Sequence, residues 1–111
     1  MIDSNSIHAA YDGFLSLLDC KTIYLPSAFT PNTDINNPVF GISNAIVVQD
    51  LISFEIFDRW GNRVFKANSA TDTWDGTYNG SPVNPAVFLY MVKYRCNGEE
   101  LSKTGAVTVI R

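Results

Sequence analysis

At 111 residues the chain has the length of one domain, and with 46% hydrophobic and 13% aromatic residues it is too apolar for a disordered segment. Only 17% of residues are charged and the net charge is −3, which excludes the basic face of a nucleic-acid binder and a polybasic membrane-surface segment. The run of bulky apolar residues from Val87 to Val92 is too short to cross a bilayer as a helix, and no secretory leader stands at the start, so a leader is expected to have been removed or to belong to a longer parent.

In chain order, residues 1–20 read as a lead-in or the end of a preceding linker. Ile7, Ala10, Tyr11, Phe14, Leu15 and Leu18 fall at helical spacing, but Asp12-Gly13 among them is a hairpin-turn signal. Helix and short hairpin both stand for residues 6–18. From residue 21 to 111 the pattern is β. Val, Ile, Thr, Phe, Tyr and Trp number 40, and Asn, Asp, Gly and Pro another 30, so strand formers are punctuated by turn formers.

Ile23-Tyr24-Leu25 reads as a short strand stopped by Pro26. Phe29 to Pro38 is a loop. Val39 to Ile42 and Ala45 to Val48 are candidate short strands. Leu51 to Asp58 alternates, with Ile52, Phe54 and Ile56 on one face. Trp60-Gly61-Asn62 is a turn into Arg63 to Ala67. Trp74-Asp75-Gly76 and Asn79-Gly80 are turns around a short extended piece. Ala86 to Cys96 is the strongest strand, and Asn97-Gly98 is a two-residue hairpin signal. The strand then returns from Glu100 to Arg111, with Gly105 expected as a bulge or bend. About seven strands in roughly 90 residues point to an all-β, Ig-like antiparallel β-sandwich. The expected core holds Phe54, Ile56, Phe65, Val107 or Ile110, and one face of Ala86 to Cys96. Phe88, Tyr90 and Val92 compete there with Val87, Leu89 and Met91.

Cys20 and Cys96 lie too far apart for a redox motif or zinc spacing. An even pair in a strand-rich domain fits one disulfide and a setting outside the cytoplasm. The alternative is two buried free thiols.

The residues offer little for catalysis. His8 is the single histidine, so a Ser-His-Asp or Cys-His arrangement would have to use it. There is no P-loop, no GxGxxG and no HExxH. Asp58 and Asp75 are candidates for an acid–base pair, but each sits at a strand end or turn where Asp serves the backbone. Asn32, Asp34, Asn36 and Asn37 have the spacing of calcium ligands, yet one charge among four favours Asx turns. No catalytic residue, cofactor or metal site is expected. Arg59-Trp60 and Trp74-Asp75-Gly76 admit two readings. One is a recognition surface. The other is internal, with Arg59 paired to Asp75 and stacked on an indole, and it fits residues at turns better.

Four segments together carry a family resemblance: Leu25-Pro26-Ser27-Ala28-Phe29-Thr30-Pro31-Asn32, Ile56-Phe57-Asp58-Arg59-Trp60-Gly61-Asn62-Arg63-Val64-Phe65, Trp74-Asp75-Gly76-Thr77-Tyr78-Asn79-Gly80 and Gly105-Ala106-Val107-Thr108-Val109-Ile110-Arg111. In this order they resemble the gliding-motility-associated C-terminal domain of Bacteroidota, the type B sorting domain of the type IX secretion system. The likeness covers about Ile23 to Arg111. It departs from the family where a PNGDGxND pattern is usual, since Thr33, Ile35 and Pro38 replace two glycines and an aspartate. Ala86 also stands where a glycine is usual.

The resemblance implies a non-catalytic sorting domain that carries a fused cargo protein through the periplasm and across the outer membrane, to the cell surface or the medium. Implied partners are the outer-membrane translocon and a small outer-membrane β-barrel adaptor. Arg59, Trp60, Gly61, Trp74, Asp75, Gly76, Gly105, Ile110 and Arg111 carry the family motifs. The extreme end is expected to be what the machinery reads, with Arg111 contributing little to folding. The alternative function is a cell-surface adhesion module that binds glycan or protein. Motifs running to the last residue favour sorting, because a binding module need not sit at a terminus.

Overall fold

A computed structural model describes residues 19–31 and 38–111 of the chain. The lead-in before residue 19, with His8 and the helix-or-hairpin choice, and the Asn32 to Asn37 segment lie outside the described residues. The strands are β1 (Ala28–Phe29), β2 (Asp50–Phe57), β3 (Arg63–Lys66), β4 (Thr77–Tyr78), β5 (Ser81–Pro82), β6 (Ala86–Cys96) and β7 (Glu99–Val109). Five form one sheet in the order β1-β7-β6-β2-β3, and β4-β5 form a two-stranded ribbon.

Seven strands lie among the described residues, but Ile23 to Leu25, Val39 to Ile42 and Ala45 to Val48 are not among them, β1 takes in Phe29 where the sequence pattern begins a loop, and the sheet is mixed. β1 lies parallel to the end of β7, with Ala28 opposite Thr108 and Phe29 opposite Val109. All other strand pairs are antiparallel. β6 is paired along its length with β7 and, over Leu89 to Arg95, with β2. The type I′ hairpin that joins β6 to β7 uses Asn97 and Gly98, both at positive φ (52° and 83°). Asn79 and Gly80 close the β4-β5 ribbon in the same way, with φ of 53° and 80°.

Which face of β6 is inward is settled by its neighbours. Phe88, Tyr90, Val92, Tyr94 and Cys96 are buried, while Val87, Leu89 and Met91 are exposed. β2 supplies Phe54 and Ile56 to the same side, and β7 supplies Val107 and Val109. Ile52 departs from the expected alternation. A register irregularity between Leu51 and Ser53 turns it outward, and Leu51 packs against the core instead. Ile110 is likewise exposed, and Phe65 is half-buried with its ring 5.7 Å from that of Phe54.

The inner face is covered by irregular chain. Phe40 and Trp74 form an isolated antiparallel bridge with two backbone hydrogen bonds of 2.8 Å. Their rings join Phe29, Phe54, Phe88 and Tyr90 in a contiguous aromatic cluster, with neighbouring centroids 5.1–6.2 Å apart. Ile23-Tyr24-Leu25 is irregular chain rather than a strand, with the Tyr24 carbonyl accepting from the Ser43 amide at 2.7 Å. The Asn44 side chain pins it by accepting from the Tyr24 amide (2.8 Å) and donating to the Thr22 carbonyl (2.9 Å). Ala45–Val47 is a 3-10 turn rather than a strand. Gly105 is no bulge, since its pairing with Tyr90 is regular. A side chain there would overlap the Tyr90 phenol. The glycine gives that ring its space.

Cys20 and Cys96 form a disulfide, with Cα atoms 5.5 Å apart and both residues buried. It ties the lead into the sheet to the last residue of β6, where Tyr94 also donates from its hydroxyl to the Lys21 carbonyl (2.9 Å). The bond spans 76 positions. Reduction, or a Cys20→Ser/Cys96→Ser variant, should cost about 4 kcal/mol in urea unfolding if unfolded-chain entropy governs. Phe54, fully buried against Phe40 and Phe65, tests the core. Phe54→Ala should lower unfolding free energy by about 3–5 kcal/mol.

Candidate functional site

The motif residues gather at one end of the sheet. There β2 ends, β3 and β6 begin, and β7 ends next to β1. The disulfide and the Asn97-Gly98 hairpin close the other end, about 33 Å away along the 11 residues of β6.

The β2-β3 turn, Asp58 to Asn62, is held by one carboxylate. Asp58 Oδ1 accepts from the Trp60 and Asn62 amides, each at 2.9 Å, and Oδ2 accepts from Asn62 Nδ2 at 3.1 Å. The backbone closes with Asp58 N donating to the Asn62 carbonyl (2.9 Å) and Gly61 N to the Asp58 carbonyl (3.1 Å). Gly61 sits at φ +83°, which a side chain would resist. The turn lifts Trp60 into solvent at 75% exposure, with the Arg59 guanidinium 4.9 Å from the indole centroid.

Arg59 and Asp75 do not pair. Arg59 lies on its own neighbour, Trp60, and Asp75 accepts from the amide (3.1 Å) and hydroxyl (2.6 Å) of Thr77. Each finds a partner within two residues, at less entropic cost than a distant one. Asp58 and Asp75 likewise serve their own turns, Asp58 through both oxygens and Asp75 through Oδ1.

The two tryptophans have opposite roles. Trp74 is 2% exposed, packs on Phe29 and Phe88, and donates from Nε1 to the Thr77 carbonyl at 2.9 Å. That bond orients the Asp75-Gly76 turn and the ribbon beyond it. Gly76 takes φ +79°, and a Cβ there would stand 3.0 Å from Pro31 Cγ and 3.3 Å from an Arg111 guanidinium nitrogen.

Arg111 reaches into the same corner. Its Nε donates to the Val83 carbonyl at 2.8 Å and a terminal nitrogen to the Gly76 carbonyl at 3.1 Å. The Ile110 amide donates to the Phe29 carbonyl at 3.0 Å. Thus Trp74, Asp75, Gly76 and Arg111 share one corner, and Arg111 clips the ribbon to the end of β7. Arg111 is exposed, as expected of a terminal residue, but its side chain is tied down by these two bonds. Asp58 and Arg111 are therefore the organising residues that sequence reasoning undervalued. For Asp58 the available signal was its place two and four residues before potential amide donors.

Among the described residues Asp19, Cys20 and Cys96 are the group close enough to suggest a metal, but both sulfurs are consumed by the disulfide. No helix among the described residues is long and apolar enough to cross a membrane.

Residues 23–109 match the family of the CHU_C type IX secretion signal domain, and the chain belongs to that family. It is a C-terminal signal domain of type IX secretion, in a non-catalytic family, and the signal implies export to the surface or beyond. No curated protein and no solved structure matches it.

Partial desolvation pushes the Asp58 carboxyl up, but hydrogen bonds from Asn62 and Trp60 outweigh it and hold it below the ordinary carboxylate value. Asp72 moves the same way, chiefly through the Asn68 amide. A carboxyl lowered in the folded state stabilises fully above its unfolded value and loses that contribution as pH falls through the folded one. Stability should therefore drop as the medium is acidified below about pH 4, and Asp58→Asn should flatten that acid limb in urea midpoints taken against pH.

Arg111→Ala should cost about 1 kcal/mol by chemical denaturation, since it leaves two carbonyls to water. Arg111→Lys should recover only part of this, because an ammonium cannot reproduce the fork.

Proposed function

We propose that this chain acts as a type B sorting domain of the gliding-motility-associated kind found in Bacteroidota. Residues 21–111 would be the sorting unit and residues 1–20 the end of a linker from the cargo. The supporting observation is the family match over residues 23–109 together with four ordered motifs, three of which fall at one end of the sheet. The cargo passes through the periplasm, crosses the outer membrane at the type IX translocon, and engages a small outer-membrane β-barrel adaptor. The oxidised Cys20–Cys96 pair suits a periplasmic transit.

An Ig-like sandwich remains the fold reading that fits this role. The five-stranded sheet would be its larger layer, and the Phe40–Trp74 bridge with the β4-β5 ribbon its reduced second layer.

The motif-bearing end, with Arg59, Trp60, Gly61, Trp74, Asp75, Gly76, Gly105, Ile110 and Arg111, would be the end that the machinery meets. Trp74 and Gly105 shape it from inside. Arg59 and Trp60 are available at its surface.

A periplasmic reporter fused ahead of the full 111-residue chain in a type IX-competent cell tests the reading. The reporter should reach the cell surface or medium, and should stay in the periplasm when the translocon is disabled. Periplasmic retention of the fusion in competent cells would overturn it. Loss of delivery by an Ile110–Arg111 deletion that lowers stability assigns that end a folding role. The same loss at unchanged stability assigns it to the signal.

A further inference from the structure

The outer face of the sheet carries apolar side chains where a solvent-facing β-surface ordinarily carries polar ones. Val87 is 53% exposed, Leu89 54% and Met91 37%. They stand in one row on β6, the central strand. Leu89 lies opposite Phe57 on β2 and Ala106 on β7, and Met91 lies opposite Thr104. The β7 side chains beside them are small, so a groove of about 710 Å³ opens along the β6-β7 seam. Arg59 lies on its rim. The same residue borders a second hollow of about 310 Å³, which reaches Trp60 and the β4-β5 ribbon.

The chemistry of the rim is specific. The Asp58 carboxylate is committed to three donors in its own turn. Asp58 lines the same groove and attracts Arg59 through space, but both its oxygens are taken by the turn, and among the described residues the ion pairs Arg63–Glu55 and Arg95–Asp50 do not include Arg59. Arg59 therefore presents a guanidinium, braced on the Trp60 indole, beside an apolar groove in a chain of net charge −3. An arginine braced on an aromatic, next to an apolar slot, is the composition in which binding energy concentrates.

We propose that this groove and the Arg59–Trp60 tip form a docking surface for a partner protein presenting an apolar side chain next to a carboxylate. The apolar group enters between Leu89 and Ala106, and the carboxylate meets Arg59. Charge complementarity selects this occupant. A second copy seated on the same face is the competing occupant, and the oligomeric state of the Leu89→Ser variant decides against or for it. Asp58, Arg59, Tyr90 and Thr104 bring the polar groups of the lining, and the rest, with Phe57, Leu89, Met91 and Ala106, is apolar, which suits an apolar side chain better than a glycan. The role in transport rests on the sorting function proposed above, whereas the binding chemistry stands on the surface alone.

The isotope-labelled full chain, titrated with the capped peptide acetyl-Leu-Asp-Leu-amide and followed by NMR, tests the chemistry. Shifts should centre on Phe57, Arg59, Leu89 and Met91. Arg59→Gln and Leu89→Ser should each weaken binding at least about fivefold, as should replacing the peptide's aspartate with asparagine. Both variants should melt within about 2 °C of the parent, since both positions are exposed. Shifts elsewhere, equal binding of the asparagine peptide, or a dimer that Leu89→Ser dissociates would overturn the proposal.

As reporter fusions in type IX-competent cells, the same two variants should be delivered at least about fivefold less than the parent at unchanged melting temperature. Stable variants delivered like the parent would overturn the transport role of the groove. A parent fusion that is not delivered would overturn the sorting reading instead, and the titration would still decide the groove.

Discussion

Everything in this domain is arranged around one strand. Among the described strands β6 alone is held by long neighbours on both sides, and its inward residues alternate without interruption from Phe88 to Cys96. Those side chains set the plane on which the aromatic cluster sits. Phe40 and Trp74, which belong to no regular strand, are fixed because their rings have Tyr90 and Phe88 beneath them. A second layer of mostly irregular chain can then be ordered, because burying large rings offsets the entropy of holding loops in place.

The elements legible in the sequence were those with local causes. Asn79-Gly80 and Asn97-Gly98 specify tight turns by backbone preference alone. The β2-β3 hairpin and the β6-β7 pair follow from alternation plus turn chemistry. What escaped reading depends on distant contacts. Both faces of β6 are apolar, so periodicity cannot choose between them; the parity of Cys96, joined to Cys20, selects the even-numbered face. Ala45 to Val48 has strand-like composition but becomes a 3-10 turn, with Asn44 bridging to Thr22 and Tyr24 on the segment beside it. The parallel pairing of β1 with β7 leaves no mark on either segment.

At the motif-bearing end the residue types were visible but their partnerships were not. Arg59 and Asp75 are opposite charges in a sparsely charged chain, which suggests a pair. Each instead uses an immediate neighbour, and the long-range polar contacts at this corner are made by Arg111 to main-chain carbonyls. Carbonyl acceptors carry no side-chain signature, so such a clip cannot be read from composition. The one indole in solvent and the one in the core are likewise indistinguishable until the turns around them are built.

The pairing of β1 with the end of β7 also orders events in time. Ala28 and Phe29 find their strand partners 80 residues later, at Thr108 and Val109. In a chain that emerges from a pore N-terminus first, the aromatic side chain of Phe29 has no finished seat until Val109 has emerged. The folded corner thus exists only once the segment through Val109 is free to pair, and a partly emerged chain does not display it.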